Sequence, residues 1–148
     1  MISNYNQPVK TNHIVSLISK IRSKANRIII SELRDRDIKG LSPSHGDIMF
    51  FLFQSGSASM MELANKIDRD KSTITALVKK LVAMGYIETV KDKKDSRVTL
   101  VTLTKKGLQL KPDFDEISNI LLEHTYGNCS SREKEVIVSG LEKLLRNM

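Results

Sequence analysis

Residues Lys91 to Arg97 read Lys-Asp-Lys-Lys-Asp-Ser-Arg, six charges in seven positions, and run straight into the β-branched stretch Val98–Leu103. A charge run is usually a solvated surface. Three features argue for more. The connection is roughly seven residues, longer than most hairpin loops. It holds no Gly, Pro or Asn, so its residues are not chosen for a tight reversal. Arg97 lies at the base of the returning strand, where a guanidinium can be aimed. The chemistry of such a group is anion recognition, and arginine suits the enhanced negative potential of a narrow minor groove. Asp95 is close enough in sequence to hold Arg97 in a bidentate pair and set its direction. Lys91, Lys93 and Lys94 then suit phosphates.

A second set lies upstream, on the segment Lys71–Met84. Ile74, Leu77, Val78 and Leu81 mark its inward stripe, leaving Lys71, Ser72, Thr73, Thr75, Ala76, Lys79 and Lys80 on the outward face. Small hydroxyl side chains at the N-terminal end allow close approach to a groove, and lysines further along suit phosphates on either side. An ordinary amphipathic helix with a solvated face has the same pattern. The neighbouring short capped helix and the basic hairpin favour DNA. Ser59, at the start of that short helix, and Arg69, in the turn between the two, complete the candidate DNA-binding set.

Composition agrees with an anionic partner. The formal net charge is +7, and residues 69–107 carry 10 basic and 4 acidic side chains. Residues 1–41 are basic too, with 8 against 3, whereas 108–148 are acidic. The single Cys129 excludes an internal disulfide and a cysteine-based zinc site. His13, His45 and His124 are far apart, and no His/Asp/Glu set has metal-ligand spacing. His45, in the first turn of a helix, reads as structural. No nucleophile, metal or phosphate-loop constellation supports an enzyme, and no cofactor is expected. There is no membrane-length apolar run and no signal-peptide core, so a soluble cytoplasmic protein is expected.

The elements that position these residues follow from periodicity and capping. The first dozen residues read as a loose arm. From His13 a long helix carries the stripe Ile14, Leu17, Ile18, Ile21, Ala25, Ile28, Ile29, Leu33. Ser42 caps a core helix with Pro43 at its first position, holding three of the four phenylalanines. Ser59 and Glu62 form a capping box before a short helix burying Leu63, Ala64 and Ile67. Asp70 caps the next helix, which Gly85 stops. Tyr86–Val90 and Val98–Leu103 predict a two-stranded hairpin. Thr104 caps a helix reaching Gly127, with the stripe Leu110, Phe114, Ile117, Leu121 and with Pro112 inside as a kink. Ser130 and Glu133 box the last helix, expected to bury Ile137, Leu141, Leu144 and Met148. The fold class is mainly α with a small β-hairpin wing, a winged helix-turn-helix over 42–104. It is flanked by an arm and dimerisation helix (1–41) and by C-terminal dimerisation helices (105–148). The first and last stripes exceed what one small winged helix can bury, which predicts a homodimer through Ile14, Leu17, Ile18, Ile21, Ile117, Leu121, Ile137, Leu141 and Leu144. A twofold dimer sets two reading helices about 34–36 Å apart, on a pseudo-palindrome.

The stretch Leu81–Gly107 resembles the multiple antibiotic resistance regulator (MarR) family of winged-helix transcription factors. The matching elements are Leu81 and Gly85, Ile87, Asp95-x-Arg97, and Leu103-Thr104-x-x-Gly107; Asp70–Leu81 is similar to the family's recognition helix. The resemblance implies a homodimeric repressor of double-stranded DNA targets, released by a small aromatic or phenolic effector. It places Arg97 in the minor groove with Asp95 behind it, and Ser72, Thr73 and Thr75 in the major groove. Thr89 stands where the family often has arginine, and Ala76 where a basic side chain is common. Cys129 does not match the N-terminal cysteine through which some members sense oxidants. The rival class is a winged helix contacting protein or RNA, separable by the salt dependence of DNA binding.

Overall fold

The computed structural model describes residues 8–148, so most of the arm read above lies outside the described residues. Seven helices and three strands follow in order: α1 (Ile14–Asp35), α2 (Pro43–Ser55), β1 (Ser57–Ser59), α3 (Met60–Ile67), α4 (Lys71–Ala83), β2 (Ile87–Lys91), β3 (Thr99–Leu103), α5 (Lys105–Leu108), α6 (Lys111–Tyr126) and α7 (Ser131–Arg146). No helix among the described residues is long and apolar enough to cross a membrane.

The core is aliphatic, as a chain with 5% aromatics and no Trp requires. Ile48, Met49 and Leu52 of α2, Leu63 of α3, Ile74 and Leu81 of α4, Ile87 of β2 and Val101 of β3 are shut off from solvent. These residues unite the helix pair and the sheet, so packing fixes where α4 and the hairpin sit. The sheet has three antiparallel strands in the order β1-β3-β2, with Thr89 opposite Val101 and Ala58 opposite Val101 from the other side. The predicted hairpin is present as β2 and β3, and β1 adds a third strand that the sequence reading lacked. Ser57–Ser59 carries no strand signal; its pairing comes from β3 offering a free edge.

Three expectations are corrected. Thr104 caps only the four-residue α5, and Pro112 stands in the first turn of the new helix α6 rather than kinking a long one. There its missing N–H costs nothing. At α3 the Ser59 hydroxyl accepts the Glu62 N–H at 3.0 Å, the one half of the expected box among the recorded bonds. Finally, α7 buries none of its residues in the chain, Ile137, Leu141 and Leu144 included, and Met148 lies past its end, exposed. Its own N-terminal box, Ser130 with Glu133, is complete.

His45 is buried at the start of α2, where its Nδ1 accepts the Ser42 N–H at 2.9 Å while the Ser42 hydroxyl caps the helix. An accepting Nδ1 must be unprotonated. Burial, and then the nearby Lys80 ammonium, push the imidazole pKa below its ordinary 6.5. The unfolded chain therefore takes up this proton before the native state does. The neutral imidazole's contribution is complete above pH 6.5 and is lost as pH falls through the depressed native value. Denaturant midpoints are expected to fall between about pH 7.5 and about pH 5, above the range where carboxylates titrate. His45→Gln, whose amide oxygen can accept the Ser42 N–H without titrating, is expected to flatten that slope. An equal slope in both proteins would assign it to other groups.

At the far end of α1, Arg36 is largely buried and pairs with Glu32 in its own helical run. It also reaches Glu116 at 3.2 Å and Asp113 at 3.8 Å on α6. Glu32 foremost holds the guanidinium pKa above its usual range. The cluster fastens α1 to α6, and the two helices pack along each other.

Candidate nucleic-acid interface

The upper rim of the site begins with α4. Ile74, Val78 and Leu81 face the core and Thr73 and Leu77 are half-buried, so Lys71, Ser72, Thr75, Ala76, Lys79 and Lys80 stand exposed in pairs at helical spacing. Lys80 sits at the edge of this face, its Nζ alongside Gly40. Asp70 caps the helix by accepting the Thr73 N–H at 2.7 Å and the Ser72 hydroxyl at 2.9 Å. Hydrogen bonds from Thr73 and Ser72 hold this carboxyl below its ordinary range, so it is ionised and can only accept. The Thr75 hydroxyl donates to the Lys71 carbonyl at 2.8 Å. Ser59 is half-buried at its cap, and Arg69 is exposed in the turn, which Asp68 makes possible with a left-handed φ of 55°. Asp tolerates that conformation better than most residues, and no glycine marks the place.

The hairpin tip differs from its sequence reading in one respect. Its aspartates do make the turn. Asp92 accepts the Lys94 N–H at 3.1 Å and Asp95 the Arg97 N–H at 3.0 Å, two successive side-chain-closed turns. Backbone bonds from Asp92 to Val98 and from Val98 to the Asp95 carbonyl finish the reversal. The spacing Asp-x-Lys and Asp-x-Arg was the available signal.

Asp95 also grips the Arg97 side chain, Nε to Oδ1 at 3.1 Å and the terminal nitrogen to Oδ2 at 3.2 Å. Arg97, first through its side chain and then its backbone, holds the Asp95 carboxyl below the usual carboxylate range. The Arg97 side chain is 89% exposed. An exposed pair of this kind adds little to folding stability. Its effect is to restrict the guanidinium to one direction. Lys91, Lys93 and Lys94 are exposed around it, and Thr89 is exposed on the strand behind.

The base of the wing is clasped to the end of α4. Gly85 ends that helix at φ 81°. Thr104 donates its hydroxyl proton to the Gly85 carbonyl and accepts the Gly107 N–H at 3.0 Å, while its own N–H bonds the Tyr86 carbonyl at 3.0 Å. Lys106 donates to the Met84 carbonyl at 2.8 Å and lies over the Tyr86 ring. Leu-Thr-x-x-Gly is thus a joint that fixes the hairpin on α4. Residues 41–99 match the family model described as MarR family.

Over that segment the chain is similar to the MarR family. Over 89 residues the chain is 32% identical to the HTH-type transcriptional regulator SarZ of Staphylococcus haemolyticus, covering 60% of the chain and 59% of SarZ. The chain therefore spans about three-fifths of that relative's length. A MarR protein from Peptoclostridium difficile has the same fold with a TM-score of 0.82 at 25% identity, over 98% of this chain and 94% of that one. A mutant MarR from E. coli complexed with operator DNA aligns with a TM-score of 0.80 over 90% of this chain and 94% of its own; at 20% identity the likeness is one of fold.

The structure treats the predicted dimer residues unequally. Ile14, Leu17, Ile18 and Ile21 on α1 and Ile137, Leu141 and Leu144 on α7 are exposed. Ile117 is not: it is 6% exposed and packs in the chain's own core beside Phe114. The stripe on α6 points inward because α1 and α2 cover it. Leu121 is half-buried on the wall of a mainly apolar cavity of about 200 Å³.

Proposed function

We propose that this chain is a sequence-specific double-stranded DNA-binding transcriptional regulator. It acts as a homodimeric repressor that a small aromatic or phenolic effector releases. The observation that carries the reading is Arg97: a guanidinium locked by both oxygens of Asp95 while touching nothing else recorded in its own chain. Such a side chain is prepared for an external anion, and a groove edge with flanking phosphates fits it and its neighbouring lysines. The exposed polar face of α4 supplies the second contact. The exposed apolar faces of α1 and α7 support a twofold dimer, because a larger bare patch is unusual on a monomer.

The cavity supports the effector. Ile29 and Leu33 of α1, Phe50 of α2 and Phe114 and Leu121 of α6 line it, so it lies at the junction between the dimerisation helices and the reading unit. An aromatic guest there alters the angle between the two, and a dimer with misplaced heads cannot meet both half-sites together.

Selection of binding sites from random DNA, followed by a salt titration, tests the reading. A palindrome with half-site centres about one helical turn apart is expected, with affinity falling steeply as salt rises. Absence of sequence enrichment, or binding indifferent to salt, would instead favour a winged helix that contacts protein or RNA. Arg97→Ala is expected to weaken operator binding by about 1–3 kcal/mol with the dimer intact. Operator affinity equal to wild type in that variant would remove the wing from the interface.

A further inference from the structure

The hydroxyl groups on α4 have their protons already committed. Ser72 donates to the Asp70 carboxylate at 2.9 Å, and Thr75 donates to the Lys71 carbonyl at 2.8 Å. Neither acceptor can donate in return, so the direction of both bonds is fixed by chemistry rather than by choice of rotamer. What Ser72 and Thr75 hold out to solvent is lone pairs. Thr75 adds a methyl group and Ala76 another, each on an exposed residue. The helix Lys71–Ala83 contains no Arg, Asn or Gln, so it has no planar, forked side chain to match the edge of a purine. Lys71 and Lys79 are point charges, suited to phosphates at the groove walls.

This rests on the DNA-binding reading above and deepens it. We propose that Ser72, Thr75 and Ala76 read the major groove by accepting hydrogen bonds and packing methyl groups, and so select A·T pairs at the bases they face. An A·T pair presents an adenine amino donor and a thymine methyl in that groove, matching both features, whereas cytosine offers an amino donor without the methyl. A guanine presents two acceptors there, which would confront the lone pairs of Ser72 and Thr75 with no proton between them. Guanine is disfavoured at these positions, and Asp70 is the positioning residue that makes it so by holding the Ser72 proton.

The test uses the full chain and the operator recovered by selection, with affinity read by fluorescence anisotropy. Replacing each half-site thymine singly by deoxyuridine removes the methyl and keeps base pairing. At one or more thymines in each half-site the affinity is expected to fall about fourfold, the scale for one buried methyl. In Thr75→Ser or Ala76→Gly the same replacement is expected to lose its effect. Replacing the facing purines by 7-deaza analogues, which lack the N7 acceptor, is expected to leave affinity within about twofold, because no donor is aimed there. A loss beyond about tenfold on 7-deazaguanine replacement would overturn the proposal, as would tolerance of deoxyuridine at every position. Those results leave a salt-sensitive operator complex standing. Failure to bind any DNA with salt-dependent affinity would bring down the DNA-binding reading itself, and this one with it.

Discussion

Gly107→Ala is expected to lower stability by about 3 kcal/mol or more, a drop of roughly 10 °C in melting midpoint for a chain of this size. Gly107 is buried at the joint between the wing and the C-terminal helices, and its backbone conformation is not the left-handed one that demands glycine. The demand is for space. A Cβ there would lie 2.0 Å from the Tyr86 carbonyl oxygen and 2.9 Å from its carbon, with a Leu103 methyl at 3.3 Å. The first two are backbone atoms and cannot swing aside. The same carbonyl accepts the Thr104 N–H, so moving it breaks that bond and drags on the Thr104 hydroxyl that ties Gly85 to Gly107. Because this clasp sets the wing on α4, DNA affinity should fall further than the loss of folded protein explains. Circular dichroism melting checks the first effect. A wild-type midpoint would mean that the joint opens at little cost.

How much of this was legible in the sequence varies with where the cause lies. The caps at Ser42, Asp70 and Ser130 involve partners three residues away, and the inward stripe of α4 needs only period 3.6, so both could be read directly. The Asp95–Arg97 pair was legible for the same reason: both partners lie within one turn. The aspartates as turn formers were missed because attention to Gly, Pro and Asn hides the closed turns that Asp also makes. Strand β1 was not legible, since its three residues pair only because β3 brings an open edge to them. The direction of Ile117 was not legible either. A stripe on a helix tells that a face is covered, and only the packing of α1 and α2 tells by what. The donor and acceptor character of Ser72 and Thr75 lies furthest from the sequence, because a hydroxyl in a string of letters is both.

Leu141→Glu is expected to leave a monomer whose operator affinity is lower by about a hundredfold or more, the gain normally supplied by linking two half-sites. Helix α7 has sixteen residues and buries none of them in its own chain. A helix of that length is marginal in water unless a face is packed. Yet Ile137 is 44%, Leu141 45% and Leu144 38% exposed, forming one stripe at helical spacing. On α1, Ile14, Leu17, Ile18 and Ile21 are open as well. The proposed dimer resolves both facts at once, each subunit covering the other's stripe. A twofold axis then repeats any change, so one glutamate per chain puts two carboxylates into the same apolar seam, each costing several kcal/mol to desolvate, by rough measure. The winged-helix unit has its own buried core in Ile48, Met49, Leu52 and Val101, none of them on α1 or α7, and should stay folded. Sedimentation reports the mass, and hydrogen exchange separates a frayed α7 from a collapsed core. A normal dimer bearing the glutamate would place the interface elsewhere. A monomer with an intact core and weakened, still salt-dependent DNA binding would show that the two outer helices exist to hold two reading heads at one spacing.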